Sequence, residues 1–165
     1  LSLSEEGFRL LSEENVKEFN AWRMKYLTHR PDFSARDFSG KNLSGAYLNG
    51  ILADGANFSR ATLRGTNLVQ ASLVGCNFEH ADLTGALLMY AEMKSARISN
   101  ADLTQANLMW ANLVQADLSG CKLSHTIMVE AVLQNARVER ASREGALLKY
   151  ARLEGTEWFE QTESH

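Results

Sequence analysis

Proline is nearly absent from this 165-residue chain, occurring once at Pro31. Cysteine is scarce too. Cys76 and Cys121 form no CxxC pair and cannot build a disulfide framework. No apolar run approaches the roughly 20 residues that a bilayer-crossing helix needs. No signal peptide is visible either, although the chain begins at Leu1 rather than Met. An excess of one charge is also missing: 17 Lys and Arg stand against 20 Asp and Glu, a net charge of -3. Without a basic stripe a nucleic-acid partner is not indicated. The acidity is too slight for a general DNA mimic, although a local acidic band stays open. These absences lead us to expect one structural domain, a cytoplasmic location and no membrane span.

Catalytic motifs are lacking as well. His29, His80, His125 and His165 share no metal-ligand spacing with one another. No GxSxG, phosphate loop or HExxH occurs. The expectation is therefore no enzyme, no cofactor, no metal and no small-molecule substrate.

What is present is a period of five. From Pro31 to Glu160 the chain repeats without insertion or deletion through 26 units, of which ADLTG at 81–85 is typical. The third place of the unit is Leu in 15 units and the first is Ala in 17. The second is often Asp or Asn, the fourth often Ser or Thr, and all ten glycines of the stretch stand at the fifth. Five fits neither the 3.6 of a helix nor the 2 of a flat strand. A short extended piece aims the first and third side chains the same way. A corner at the fifth place, where glycine relieves the backbone, then turns the chain. Repetition winds it about an axis, with stacked third-place side chains as the interior. Cys76 and Cys121 replace Ala at first places and read as small buried hydrophobes.

Residues 1–30 do not repeat. Ser12 with Glu13 and Glu14 reads as a helix start. Val16, Phe19, Trp22 and Tyr26 then form one apolar stripe, ended by Pro31. A short helix from Ser4, with Phe8 and Leu11 inward, precedes it. A stack of strands needs its open end covered, so this segment is expected to be a lid. The organisation expected is a helical cap over 1–30, the repeat over 31–160 and a tail over 161–165.

The units ANFSR at 56–60, ADLTG at 81–85, ADLTQ at 101–105, ANLVQ at 111–115 and ADLSG at 116–120 resemble the pentapeptide-repeat family, whose motif is Ala-(Asp/Asn)-Leu-X-X. The resemblance implies an all-β solenoid: a right-handed quadrilateral β-helix with four units per coil, here about six and a half coils with an N-terminal α-helical cap. Phe38, Phe58 and Phe78 lie twenty residues apart and would stack on one face of such a coil, with Trp158 continuing the line. At roughly 4.8 Å per coil the tower is about 30 Å tall, with an interior too narrow for a ligand cavity.

Departures from the pattern mark candidate sites. Arg143 takes an inward place, where a lone charge is costly. It is expected to pair with Glu163 or to be solvated from the open end, with Trp158 helping to close that end. Arg36 and Lys41, at early first places, are expected to lay their stems along the rim under the cap. One face of the tower is apolar outside as well as inside. Its outward residues include Tyr47, Val69, Leu87, Met89, Tyr90, Met109, Trp110, Ile127, Val129, Leu147 and Tyr150, with Tyr90 and Trp110 at one corner on adjacent coils. A contiguous patch of this kind points to a protein partner or self-association. The functional expectation is a non-enzymatic structural or protein–protein interaction module. The family resemblance supplies the alternative, a DNA-mimicking protein of the quinolone-resistance type that binds DNA gyrase.

Overall fold

The computed structural model describes residues 1–159. From Asp32 to Arg152 the backbone is a ladder of parallel bridges, each joining a residue to the one twenty later: Asp32 to Leu52, Asp37 to Asn57, and so on to Val132 with Arg152. Every bridging residue holds the second place of its unit. A constant offset of twenty at a period of five means four units per coil. The chain is a right-handed quadrilateral β-helix of about six and a half coils, capped by two N-terminal helices.

Each place of the unit has a physical reason, visible in a full count of one unit's backbone donors. Asp82 N–H donates to Ala61 of the previous coil at 2.9 Å, and Leu83 N–H to Asp102 of the next at 2.8 Å. Thr84 N–H donates to the carboxylate of Asp82 at 3.0 Å, which is why Asp and Asn recur at the second place. Gly85 N–H reaches Thr104 of the next coil at 2.9 Å, and Ala86 N–H closes the corner on Leu83 at 3.0 Å. No donor is left over. Where Ser72 replaces Asp or Asn, Asp54 of the coil above accepts from Val74 N–H instead, at 3.0 Å.

The corner demands a left-handed backbone. Every fifth-place residue from Ala35 to Gly155, glycine or not, has φ between 54° and 82°. Together with the closing bond from the next first place to the third, this is the signature of a type II turn. Bulky residues at such φ are uncommon, yet Tyr90, Trp110 and Tyr150 sit there at 60° to 62°.

The core consists of third-place side chains, nearly all fully buried, with Ala between them. Phe38, Phe58 and Phe78 stack at 5.0 and 5.1 Å with planes 11° and 5° apart, so the stack repeats at the rise of the coil. Trp158, on the same line, is 4% exposed. Cys76 and Cys121 are free, buried, and donate to the carbonyls of Ala53 and Ile98. Burial pushes both thiols up to about 12.

The cap is two helices, α1 (Leu3–Ser12) and α2 (Val16–Lys25). Ser2 and Glu5 form a capping box at the start of α1. The helix start expected at Ser12 is displaced: Ser12 is the last residue of α1, its hydroxyl donating to Phe8 O at 2.8 Å. Glu14 turns the chain at φ 57°, and Asn15 caps α2 by accepting from Glu18 N–H. Asn is as good an N-cap as Ser, and Asn15 N–H itself donates back to Leu10 O at 2.9 Å. Gly7 lets α1 lie directly on Trp22: a Cβ there would stand 2.7 Å from the indole.

Candidate interaction face and end caps

Phe19 and Trp22 of α2 are buried over Phe33, while Val16 and Tyr26 are half-buried at the margin. Phe8 meets Phe38 edge-on at 5.4 Å, and the Arg36 guanidinium lies 4.5 Å from the Phe8 ring. This apolar seat was legible in the sequence. The polar closure of the edge was not. The second-place N–H groups of the first coil have no coil above to donate to, and cap side chains stand in for it at three of the four positions. Ser4 accepts from Asp32 N–H at 2.9 Å, Glu14 from Asn42 N–H at 2.6 Å and Asn20 from Tyr47 N–H at 2.8 Å. Asn20 also donates to Gly45 O at 3.0 Å, and the buried Arg23 donates to the carbonyls of His29 and Asn49. Burial lowers the pKa of Arg23 from its ordinary value.

At the other end Arg143 is half-buried, with its guanidinium 4.8 Å from the Trp158 ring centre. Glu163, the partner expected for it, lies outside the described residues, as does the tail over 161–165.

Between the two ends runs the apolar face. Its inward residues Leu48, Leu68, Leu88, Leu108 and Met128 are fully buried. Outward, Tyr47, Leu87, Tyr90, Trp110, Leu147 and Tyr150 are exposed, and Val69, Met89, Met109, Ile127 and Val129 are half-buried. The corner residues 50, 70, 90, 110, 130 and 150 form one vertical line. Tyr90 and Trp110 stack there at 4.8 Å with planes 12° apart, and the Trp110 indole donates to Glu130 at 2.6 Å. Among the outward second- and fourth-place residues of this face only Lys149 is charged.

The other faces are polar. Arg64 pairs with Asp82 at 3.0 Å, Arg97 with Glu79 at 3.9 Å, and Arg137 with Asp117 and Glu139 at 3.9 and 3.6 Å. Desolvation works to raise the Asp82 carboxyl, but hydrogen bonds from Thr84 and the Arg64 guanidinium outweigh it and hold it below its ordinary value.

At the upper end of the aromatic corner a groove of about 550 Å³ opens between cap and tower, lined by residues that include Arg23, Leu27, Arg30, Gly50, Gln70 and Tyr90. The sequence reading missed it, because residues 23–30 meet residue 50 only through the cap's seating. The signal available was the vertical line itself, since 50 and 70 share the spacing of 90 and 110. Among the described residues no group of three His, Cys, Asp or Glu is placed to hold a metal. No helix there is long and apolar enough to cross a membrane.

Comparison with curated protein sequences finds no match. Among solved structures, a trypsin-treated form of QnrB1, a plasmid-mediated fluoroquinolone resistance protein, superposes with a TM-score of 0.66 at 21% identity. The match covers 75% of this chain and 66% of that one, and shows the shared fold. The pentapeptide repeat protein alr5209 from Nostoc Pcc 7120 is 35% identical over 60% of this chain and 75% of its own, with a TM-score of 0.49. One from the Arabidopsis thaliana thylakoid lumen is 32% identical over 61% of this chain and 66% of its own, with a TM-score of 0.38. The family model for pentapeptide repeats matches in eight copies, over 42–79, 54–88, 67–105, 91–128 and 106–142. With its unbroken frame and its twenty-residue coil, the chain belongs to the pentapeptide-repeat family.

Proposed function

We propose that this protein is a non-enzymatic, cytoplasmic protein–protein interaction module whose working surface is the apolar face. The observation that carries the reading is the corner: stacked Tyr90 and Trp110, nearly half exposed, at backbone positions where bulky side chains are disfavoured. Nothing in the tower's own packing calls for aromatic rings there, whereas interface cores are enriched in Tyr, Trp and Met. Side chains that elsewhere do chemistry are committed to the fold. Both thiols are buried, and several second-place carboxylates and fourth-place hydroxyls bond one another within their unit.

The test is retention of a binding partner from a cell extract by the immobilised protein. Trp110→Glu should abolish it, while Thr104→Glu on the polar face should not. Equal retention by both would overturn the reading. The alternative, gyrase binding by DNA mimicry, draws on the QnrB1-like fold, which alone assigns no activity. On the polar faces Asp82, Glu79 and Asp117 each have an Arg partner, which works against a DNA-like charge array. A supercoiling assay with added protein separates the two: inhibition or protection of gyrase favours mimicry.

A further inference from the structure

The occupant of the apolar face can be named from its geometry, on the reading that this face is a docking surface. We propose that it is a second copy of the chain, lying antiparallel, face to face, about a two-fold axis that crosses the tower midway between the Tyr90 and Trp110 coils.

Size is the first ground. Six coils make a face about 30 Å tall and, with its corners, about 15 Å wide, so two copies cover about 900 Å² of flat footprint before side-chain relief adds to it. That is the low end of specific interfaces and suits reversible association.

Self-complementarity is the second. Rotation about an axis in the contact plane and across the tower reverses the order of coils but keeps each place of the unit opposite the same place. The axis midway between residues 90 and 110 is the one that covers all six coils. It sets Tyr90 against Trp110 of the second copy, Met89 against Met109 and Val69 against Val129. Lys149, the one charged second- or fourth-place residue on the face, meets Asn49.

Shape is the third. The same axis sets Tyr150 of one copy opposite Gly50 of the other. Tyr150 is the most exposed ring of the corner, at 70%. Gly50 belongs to the groove between cap and tower, which is roomy enough for a phenol ring. Arg30, whose Nε donates to Gly50 O at 2.8 Å, is placed to lay its guanidinium on that ring. Gln70 in turn faces Glu130. A two-fold axis running along the tower would instead set the aromatic corner against the 45-to-145 corner and leave the groove unfilled.

Gln70→Cys and Glu130→Cys test the register. Within one chain these positions are three coils, about 14 Å, apart, beyond disulfide reach. Mixing the two variants under mild oxidation should give a disulfide-linked dimer, and neither variant alone should. Sedimentation equilibrium of the unmodified chain should show a monomer–dimer equilibrium in the micromolar range, weakened at least tenfold by Tyr150→Ala. Absence of the mixed disulfide, or dimerisation untouched by Tyr150→Ala, would overturn the antiparallel register. A monomer at all concentrations would overturn self-association. Retention of a partner lost only in Trp110→Glu would then still uphold the docking surface itself.

Discussion

Replacing Phe58 by Ala tests how rigidly the tower fixes its own interior. Phe58 is 1% exposed and stacked on both sides, at 5.0 Å from Phe38 and 5.1 Å from Phe78. Truncating a buried Phe costs about 3–5 kcal/mol, depending on how far the surroundings collapse. Collapse is blocked here, because the coils above and below are held apart by ladder bonds such as Asn57 N–H to Arg36 O at 2.9 Å and Phe58 N–H to Asn77 O at 2.7 Å. Each lost ring pair adds about 0.5–1.5 kcal/mol. The expected destabilisation is therefore about 4–8 kcal/mol, comparable with the entire stability of many domains. Phe58→Leu, which installs the commonest third-place residue, should cost only about 1–2 kcal/mol. Urea unfolding followed by circular dichroism reads both values. If Phe58→Ala lies within about 1 kcal/mol of Phe58→Leu, the coils relax into the space and the rigid-spacing reasoning fails.

Three further outcomes follow from the same geometry. Gly85 and Gly145 have φ of 68° and 70°, but a Cβ at Gly85 meets open space while one at Gly145 meets the His125 ring. Gly85→Ala should cost about 1 kcal/mol from the backbone alone, and Gly145→Ala measurably more in the same thermal melt. Asn20→Ala removes the partners of Tyr47 N–H and Gly45 O, and should cost about 0.5–1.5 kcal/mol per bond at this exposed edge. Hydrogen exchange should show Tyr47 N–H deprotected while Leu108 N–H is unaffected. The folded thiols titrate at about 12, above the value of about 8.5 for an unfolded cysteine. Their stabilising share is thus complete below pH 8.5 and is lost as pH rises from there toward 12, by up to about 1.4 kcal/mol per pH unit for each thiol. Cys76→Ala should flatten the alkaline decline measured by urea unfolding between pH 9 and 11; an unchanged slope would refute the assignment.

Much of the tower was readable because one unit repeats the same physics 26 times. The family resemblance implied the twenty-residue coil, and the spacing of Phe38, Phe58 and Phe78 was an independent hint of it. What escaped the sequence depends on contacts that no period encodes. Ser12 and Asn15 are both good helix caps, and the choice between them turned on the left-handed Glu14. Ser4, Glu14 and Asn20 look like ordinary surface residues until they sit on the first coil's edge. Arg143 lies 4.8 Å from the centre of the Trp158 ring, fifteen residues on and on the neighbouring face, while the Glu163 expected to pair with it falls outside the described residues. The groove beside Gly50 depends on such contacts too.

A coil whose rise equals the spacing of its own hydrogen bonds also makes the outer surface a grid. Side chains one floor apart are separated by the same interval everywhere, and side chains in one column keep their heading from floor to floor. Inserting or deleting twenty residues therefore moves every later floor by one step and changes no neighbour relation except at the cut. A gain or loss of five rotates every later column onto a different face. Evolution can thus lengthen this surface in whole floors, as a ruler is lengthened by graduations, while point changes rewrite one column at a time.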